Sequence, residues 1–389
     1  MAKKLLLLTL IFLLSFKVIT DSDLGWHIRV GEHIASTKSI PKTDLFSFSH
    51  PDYPYVYHSW GSEVLMYIAF MISGLPGVTA LFAAAQTLAL LLLLQAAKIT
   101  SGKINYIFAG ASALLVYPIA GGRVRIFAFL MFCALYLLFE KFQKQNSKLI
   151  WLVPILFILW ANLHGSFIVG LGFLAALTAS TILFGGKSKI LGLILFLSAG
   201  ATLINPYGTG AATQALSLSL KSTATLRNIN YDWASLISPD TTGWIFATLA
   251  AGLLIASIFK KATIDRPHKL LLLLFFALSL VTSRFALPLL VLVIPVANHL
   301  IQKLARELPK NHHLLPIKTS ILALILILPL MATINILEVK SAYQSPQTYA
   351  AYLEQKAPDK IRDIGWSYPA GQFVFKNLQN KRVLNDANW

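Results

Sequence analysis

The sequence predicts an all-α polytopic membrane protein, a bundle of transmembrane helices, and three observations predict it. Of 389 residues, 56% are hydrophobic and only 13% are charged, roughly half the share of about 25% that a soluble domain carries. Leu, Ile, Val and Phe recur in long blocks, which excludes a disordered chain. The formal charge of +17, from 33 Lys+Arg and 16 Asp+Glu, is concentrated in alternate loops. The single cysteine, Cys133, excludes a disulfide framework and a cysteine zinc site; inside its apolar run it reads as a small core residue.

A helix needs about 20 apolar residues to cross a bilayer. Reading apolar blocks between charged, Gly or Pro breaks gives about eleven spans: 5–19, 77–97, 104–120, 126–140, 149–163, 166–184, 190–205, 243–259, 270–285, 286–302 and 319–337. The first follows Lys3 and Lys4 as a signal-peptide core would. No small-x-small cleavage site follows it, so it reads as a retained helix, with Lys17 snorkelling near its outer end. A large first outer loop, 20–63, comes next. In it a short helix from about Trp26 to Thr37 places Trp26, Val30 and Ile34 on one face, suited to the headgroup layer. Ser59–Ser73 reads as a second, half-immersed helix before the turn Gly74-Leu75-Pro76-Gly77. The domain division is therefore a membrane domain over 1–337, with a second outer loop at 205–242, and an outer tail over 338–389.

With the N-terminus inside, the inner segments (2–4, 98–103, 140–148, 185–189, 260–269 and 303–318) hold 17 basic residues and three acids. The outer loops before residue 338 balance eight basics against eight acids. This is the positive-inside pattern of a cytoplasmic-membrane protein, with an odd span count leaving the tail outside. Most of the positive charge is thus an orientation signal, and no nucleic-acid partner is implied.

The polar chemistry collects outside. Asp21, Asp23, Glu32, Asp44, Asp52 and Glu63 lie in the first outer loop. Gly121-Gly122-Arg123-Val124-Arg125, Asn162-Leu163-His164-Gly165, Asn205-Pro206-Tyr207-Gly208 and Ser283-Arg284-Phe285 all fall at the same membrane surface. Carboxylates there can act as a general base or hold a divalent cation. Arginines at span ends can fork onto phosphate oxygens and neutralise a phosphate as it leaves. Together they describe transfer from a lipid-phosphate donor.

The run Asp21-x-Asp23-x-x-Trp26-His27-x-x-x-Gly31-Glu32, then Ile40-Pro41-x-Thr43-Asp44-x-Phe46-Ser47 and His58-x-Trp60-x-x-Glu63, resembles a widespread and largely uncharacterised family of bacterial multi-spanning membrane proteins. Trp160-Ala161-Asn162-Leu163-His164-Gly165, Asn205-Pro206-Tyr207-Gly208 and Arg284-Phe285 match the same pattern. Through its topology and first-loop acids that family is similar to the GT-C superfamily of glycosyltransferases. The resemblance implies an inverting transferase that takes a sugar from a polyprenyl-phosphate donor to an unknown acceptor: glycan, lipid or protein. It implies Asp23 as the base, with Asp21 as helper, or the two as ligands of a divalent metal; no other cofactor is implied. It also implies donor-phosphate binding by Arg123, Arg125 and Arg284, with His27, Asp44, His58, Glu63 and His164 in support. Family members continue past an Asn-Asp-x-x-Trp into an outer soluble domain. The tail ending at Asn385-Asp386-Ala387-Asn388-Trp389 therefore reads as the start of a small α/β domain, cut short.

Each residue has a plainer role to set beside this one. Asp21 and Asp23 can be solvated acids flanking a span, and Arg123 and Arg125 interfacial anchors to membrane lipids. Asn162 and His164 can satisfy backbone groups in a helix break, and Asn205–Gly208 is first a turn. Trp60 suits an interface anchor, and the aromatic stretch 46–60 interfacial packing more than carbohydrate stacking. Arg284, one residue from apolar sequence on both sides, is costly there unless it functions. A lipid or oligosaccharide transporter, or a non-catalytic subunit of an envelope assembly, is the alternative. A transporter would carry ionisable residues at mid-span and an internal repeat, and the sequence has neither.

Overall fold

The structure, a computed structural model, describes residues 2–21, 23–47, 53–102, 112–116, 121–186, 188–221, 248, 250–252, 265–307 and 315–356. Most of the spans at 243–259 and 104–120, Asp52, most of the second outer loop and the tail beyond 356 lie outside the described residues. The described residues are mostly helical: α1 (Ala2–Ser15), α2 (Leu24–Thr37), α3 (Trp60–Ser101), α4 (Arg125–Gln145), α5 (Val153–Leu163), α6 (Phe167–Leu183), α7 (Ser188–Ala201), α8 (Thr209–Lys221), α9 (Arg266–Val281), α10 (Ala286–Glu307), α11 (Leu315–Ala342) and α12 (Pro346–Lys356). Among them the extended pairing is an isolated antiparallel bridge, Thr43 with Pro54.

Among the described residues three helical stretches are long and apolar enough to cross a membrane: Trp60–Ser101, Arg125–Gln145 and Ser283–Leu300. The apolar helices Leu5–Ser15, Lys148–Leu163, Phe167–Leu183 and Lys189–Ala201 are shorter than a bilayer is thick. Their ends have local causes. His164 leaves the helix in extended backbone, and α1 stops at Ser15, four residues before the expected boundary, with Ser15 Oγ donating back to Ile11 O at 2.7 Å.

The expected half-immersed helix and the following span form one continuous element, α3, kinked where expected. Ser73 and Gly74 leave helical geometry, Gly74 with φ +60, and Pro76 follows. Positive φ favours glycine, and Pro76 has no amide hydrogen to continue the ladder. α3 is the spine of the bundle, packed against α2, α4, α10 and α1; α5 and α6 pack on α7, and α9 on α10. The core is aromatic around α4, where the Phe132 ring meets those of Trp160 at 4.6 Å and Phe173 at 5.7 Å.

The apolar face of α2 turns inward, not toward headgroups. Val30 and Ile34 are buried in a cluster with Tyr57, flanked by Trp26, Leu45, Tyr55 and Trp60. The first outer loop folds back over this face, so its aromatics supply the apolar contact that lipid was expected to give.

Gly31 permits the closest approach of α2 to α3: a Cβ there would lie 2.1 Å from Glu63 O and 2.8 Å from Tyr67 Cβ. Gly31→Ala is expected to lower stability by about 1–3 kcal/mol, because backbone cannot give way as a side chain can. A thermal melt of the purified variant checks this; an unchanged midpoint would contradict the packing.

A second polar cluster pins α4 to α9. His268 Nε2 lies 3.0 Å from Glu140 Oε1 and 2.9 Å from Tyr136 OH, and its Nδ1 hydrogen-bonds Asp265. Glu140 sits 15 residues along α4 from Arg125, about 22 Å at 1.5 Å per residue. The helix thus carries polar groups at both ends and apolar packing between.

Candidate functional site

The first outer loop reaches the bundle at the start of α2. Asp21 is buried (8% exposed) just before the helix, and Asp23 is its exposed N-cap residue. Asp21 Oδ1 lies 3.8 Å from Arg123 Nε and accepts from the Asp23 amide at 3.4 Å. Burial pushes the Asp21 carboxyl above its ordinary range, and the Arg123 guanidinium only partly reverses this. The two acids that are alike in sequence therefore differ in setting: one is enclosed and shared with an arginine, the other faces solvent.

One turn into α2, His27 Nδ1 lies 2.8 Å from Glu63 Oε1, in the first turn of α3. Both side chains are buried. A carboxylate accepting from Nδ1–H would fix the tautomer and orient the ring. Glu63 Oε2 makes no hydrogen bond among the described residues.

The break between α5 and α6 brings His164 to the same place. Its Nδ1 accepts from the Ser166 amide at 3.0 Å, which puts the ring proton on Nε2. The ring thus satisfies a backbone N–H in the helix break. His164 lies within electrostatic reach of Arg284, Arg125, His58 and His27; burial first, and then these neighbours, hold its imidazole down to about 3. His58 packs on Gly165, where a Cβ would lie 3.2 Å from the ring. Burial and the Arg284 guanidinium lower His58 to about 4, against a raising contribution from Gln214.

His27 is near both Asp21 and His164, so the expected residues form one continuous neighbourhood, with acids at the α2 entrance and arginines around two neutral imidazoles. Asp44 is elsewhere in role: its Oδ1 accepts from the Phe46 and Ser47 amides at 2.9 and 3.3 Å, building a turn within the loop. The Trp60 Nε1 donates to Asn162 Oδ1 at 3.0 Å, while Asn162 Nδ2 donates to Ile158 O and Ile204 O, both at 2.8 Å. Asn205 makes a turn by accepting from the Tyr207 amide at 2.8 Å. Tyr207 then ties the second outer loop to the first, its hydroxyl donating to Pro41 O at 2.8 Å.

A divalent ion held by Asp21 and Asp23 would meet the Arg123 guanidinium. Among the described residues no group of three or more His, Cys, Asp or Glu is placed to hold a metal.

The neutral histidines predict a pH dependence of stability. A histidine whose folded pKa lies below 6.5 is protonated more readily in the unfolded chain, so stability is lost as pH falls from about 6.5 toward 4 for His58 and 3 for His164. The raised Asp21 carboxyl acts in the opposite sense. The double variant His58→Gln, His164→Gln is expected to show a shallower fall in melting temperature between pH 6.5 and 4.5 than the parent. Equal slopes would contradict the assignment.

No family model matches the chain, and no curated protein matches it. Among solved structures, the apo crystal structure of the Archaeoglobus fulgidus oligosaccharyltransferase is similar in fold, with a TM-score of 0.51 and 14% identity over 91% of this chain. The match covers 60% of that protein's length.

Proposed function

We propose that the chain is a membrane glycosyltransferase that moves a sugar from a polyprenyl-phosphate donor to an acceptor at the outer face of the cytoplasmic membrane. The fold likeness to an oligosaccharyltransferase supports glycosyl transfer as the class. The observation that supports the reading is that Arg125, Arg284 and His58 lie within electrostatic reach of His164, and that His27 lies within reach of both His164 and Asp21, the neighbour of Asp23.

In this reading Asp23 takes the proton from the acceptor as its oxygen or nitrogen attacks C1 of the sugar. The C1–O bond to phosphate breaks, and the lipid phosphate leaves with the bonding pair, inverting C1. Arg125 and Arg284 stabilise the charge gathering on that phosphate. His58 and His164, kept neutral by burial and these arginines, add no competing counter-charge and can donate to phosphate oxygen. Arg123 is engaged by Asp21 and holds the α2 entrance in place, while the His27–Glu63 pair fixes α2 against α3.

The alternative of a flippase is separated by one experiment. Full-length protein in proteoliposomes is given a fluorescent short-chain lipid-phosphate sugar together with a membrane extract as acceptor source. Conversion to free lipid phosphate without accelerated translocation is expected; translocation without conversion would overturn the proposal.

A further inference from the structure

A cleft of about 410 Å³ opens between the first outer loop and the start of α8, lined by Lys42, Pro54, Tyr55, Pro206, Tyr207 and Gln214. None of these residues belongs to the acid and arginine cluster. We propose that this cleft binds the acceptor, and that the acceptor is a saccharide carrying an anionic group. The inference rests on the glycosyltransferase reading above.

Three observations on the cleft walls support it. First, both tyrosine rings are held before any ligand arrives. The Tyr207 hydroxyl accepts from the Tyr57 amide at 3.2 Å and donates to Pro41 O, and the Tyr55 ring is edge-on to Tyr57 at 4.7 Å. Fixed aromatic faces beside two prolines offer stacking surface without an ordering cost on binding. Second, Gln214 Oε1 is buried and, although the His58 ring stands beside it, makes no hydrogen bond among the described residues. A buried acceptor without a donor is unfavourable unless a ligand supplies one, and sugar hydroxyls supply donors in abundance. Third, Lys42 is exposed at the cleft and is its one charged lining residue among the described residues, which complements an anion. The same loop is braced by the Asp44 amide to Tyr53 O and the Tyr55 amide to Lys42 O, both at 3.0 Å, so the lining is fixed in register.

The cleft also lies where an acceptor would be useful. The Gln214 amide neighbours His58, which lies within reach of Arg284. A saccharide seated on Tyr55 and Tyr207 would then extend past Gln214 toward the donor-phosphate groups.

The test is a binding measurement that needs no turnover. Full-length protein in nanodiscs is titrated with tri-galacturonic acid, with maltotriose and with an uncharged hexapeptide, by saturation-transfer NMR and calorimetry. Tri-galacturonic acid is expected to bind at least fivefold more tightly than maltotriose. Lys42→Met should remove that difference, and Gln214→Leu should weaken both sugars at least tenfold with the melting temperature unchanged. Sugar affinities that stay within twofold in both variants, or preferred binding of the peptide, would overturn the cleft assignment. Release of lipid phosphate from a donor, measured separately, distinguishes the failures. Release without saccharide binding sinks this inference and leaves the glycosyltransferase reading; saccharide binding lost on Gln214→Leu without release from any donor supports the cleft and removes that reading.

Discussion

Asp23→Asn is expected to abolish sugar transfer, with kcat down by about 10²–10⁴-fold, the range a positioned general base contributes, while donor binding persists. Asp21→Asn is expected to cost less than about tenfold on the same scale. The two acids stand two residues apart, and their settings decide the difference. Asp23 is exposed at the mouth of α2, where it can accept a proton and release it to water. Asp21 is buried, is shared with Arg123 at 3.8 Å and is pushed up by burial, so it is poorly placed to exchange protons with an acceptor. Initial rates at saturating donor, with folding monitored by gel filtration, measure both. If Asp21→Asn is the dead variant and Asp23→Asn keeps its rate, the base is misassigned.

Arg284→Met is expected to lower kcat by about 10²–10³-fold, the cost typical of removing one group that meets developing charge. Arg284 sits in the short 3₁₀ turn Ser283–Phe285, between α9 and α10, next to two apolar helices. Water screens a charge poorly in such a place, which strengthens its action on a leaving phosphate. Arg284→Lys should recover only part of the loss, since an ammonium keeps the charge but cannot fork across two phosphate oxygens. The same guanidinium depresses His58 and His164, so Arg284→Met should also raise both histidine pKa values, readable by NMR. A variant with full turnover and unmoved histidines would place Arg284 outside the site.

Much of this architecture is legible in the chain. The start and end of α2, the kink at Gly74-Leu75-Pro76-Gly77 and the helix break at His164 follow from local chemistry. That Arg125 and Arg284 lie within electrostatic reach of His164 agrees with a sidedness argument, which puts motifs at span ends on one surface without deciding which of them meet. What the chain does not reveal depends on contacts between distant residues. Trp26, Val30 and Ile34 form an apolar stripe whether lipid or Tyr57 covers it. Asp21 and Asp23 look equivalent until Arg123, a hundred residues on, claims one of them. Trp60 reads as an interface residue because its partner, Asn162, lies in another break. His268 and Glu140, 128 residues apart, give no local sign of pairing. Gln214 is an ordinary polar residue in α8 until the cleft places it beside His58.

The central claim is that the acids and arginines form one site for a lipid-phosphate sugar. Its most direct measurement is the release of lipid phosphate by the full-length protein, reconstituted and offered a panel of polyprenyl-phosphate-linked sugars with a mixed saccharide acceptor. Stoichiometric appearance of polyprenyl phosphate and glycosylated acceptor is expected from at least one donor, and is expected to be lost in Asp23→Asn. Persistence of every donor intact, or release that Asp23→Asn leaves unchanged, would contradict it.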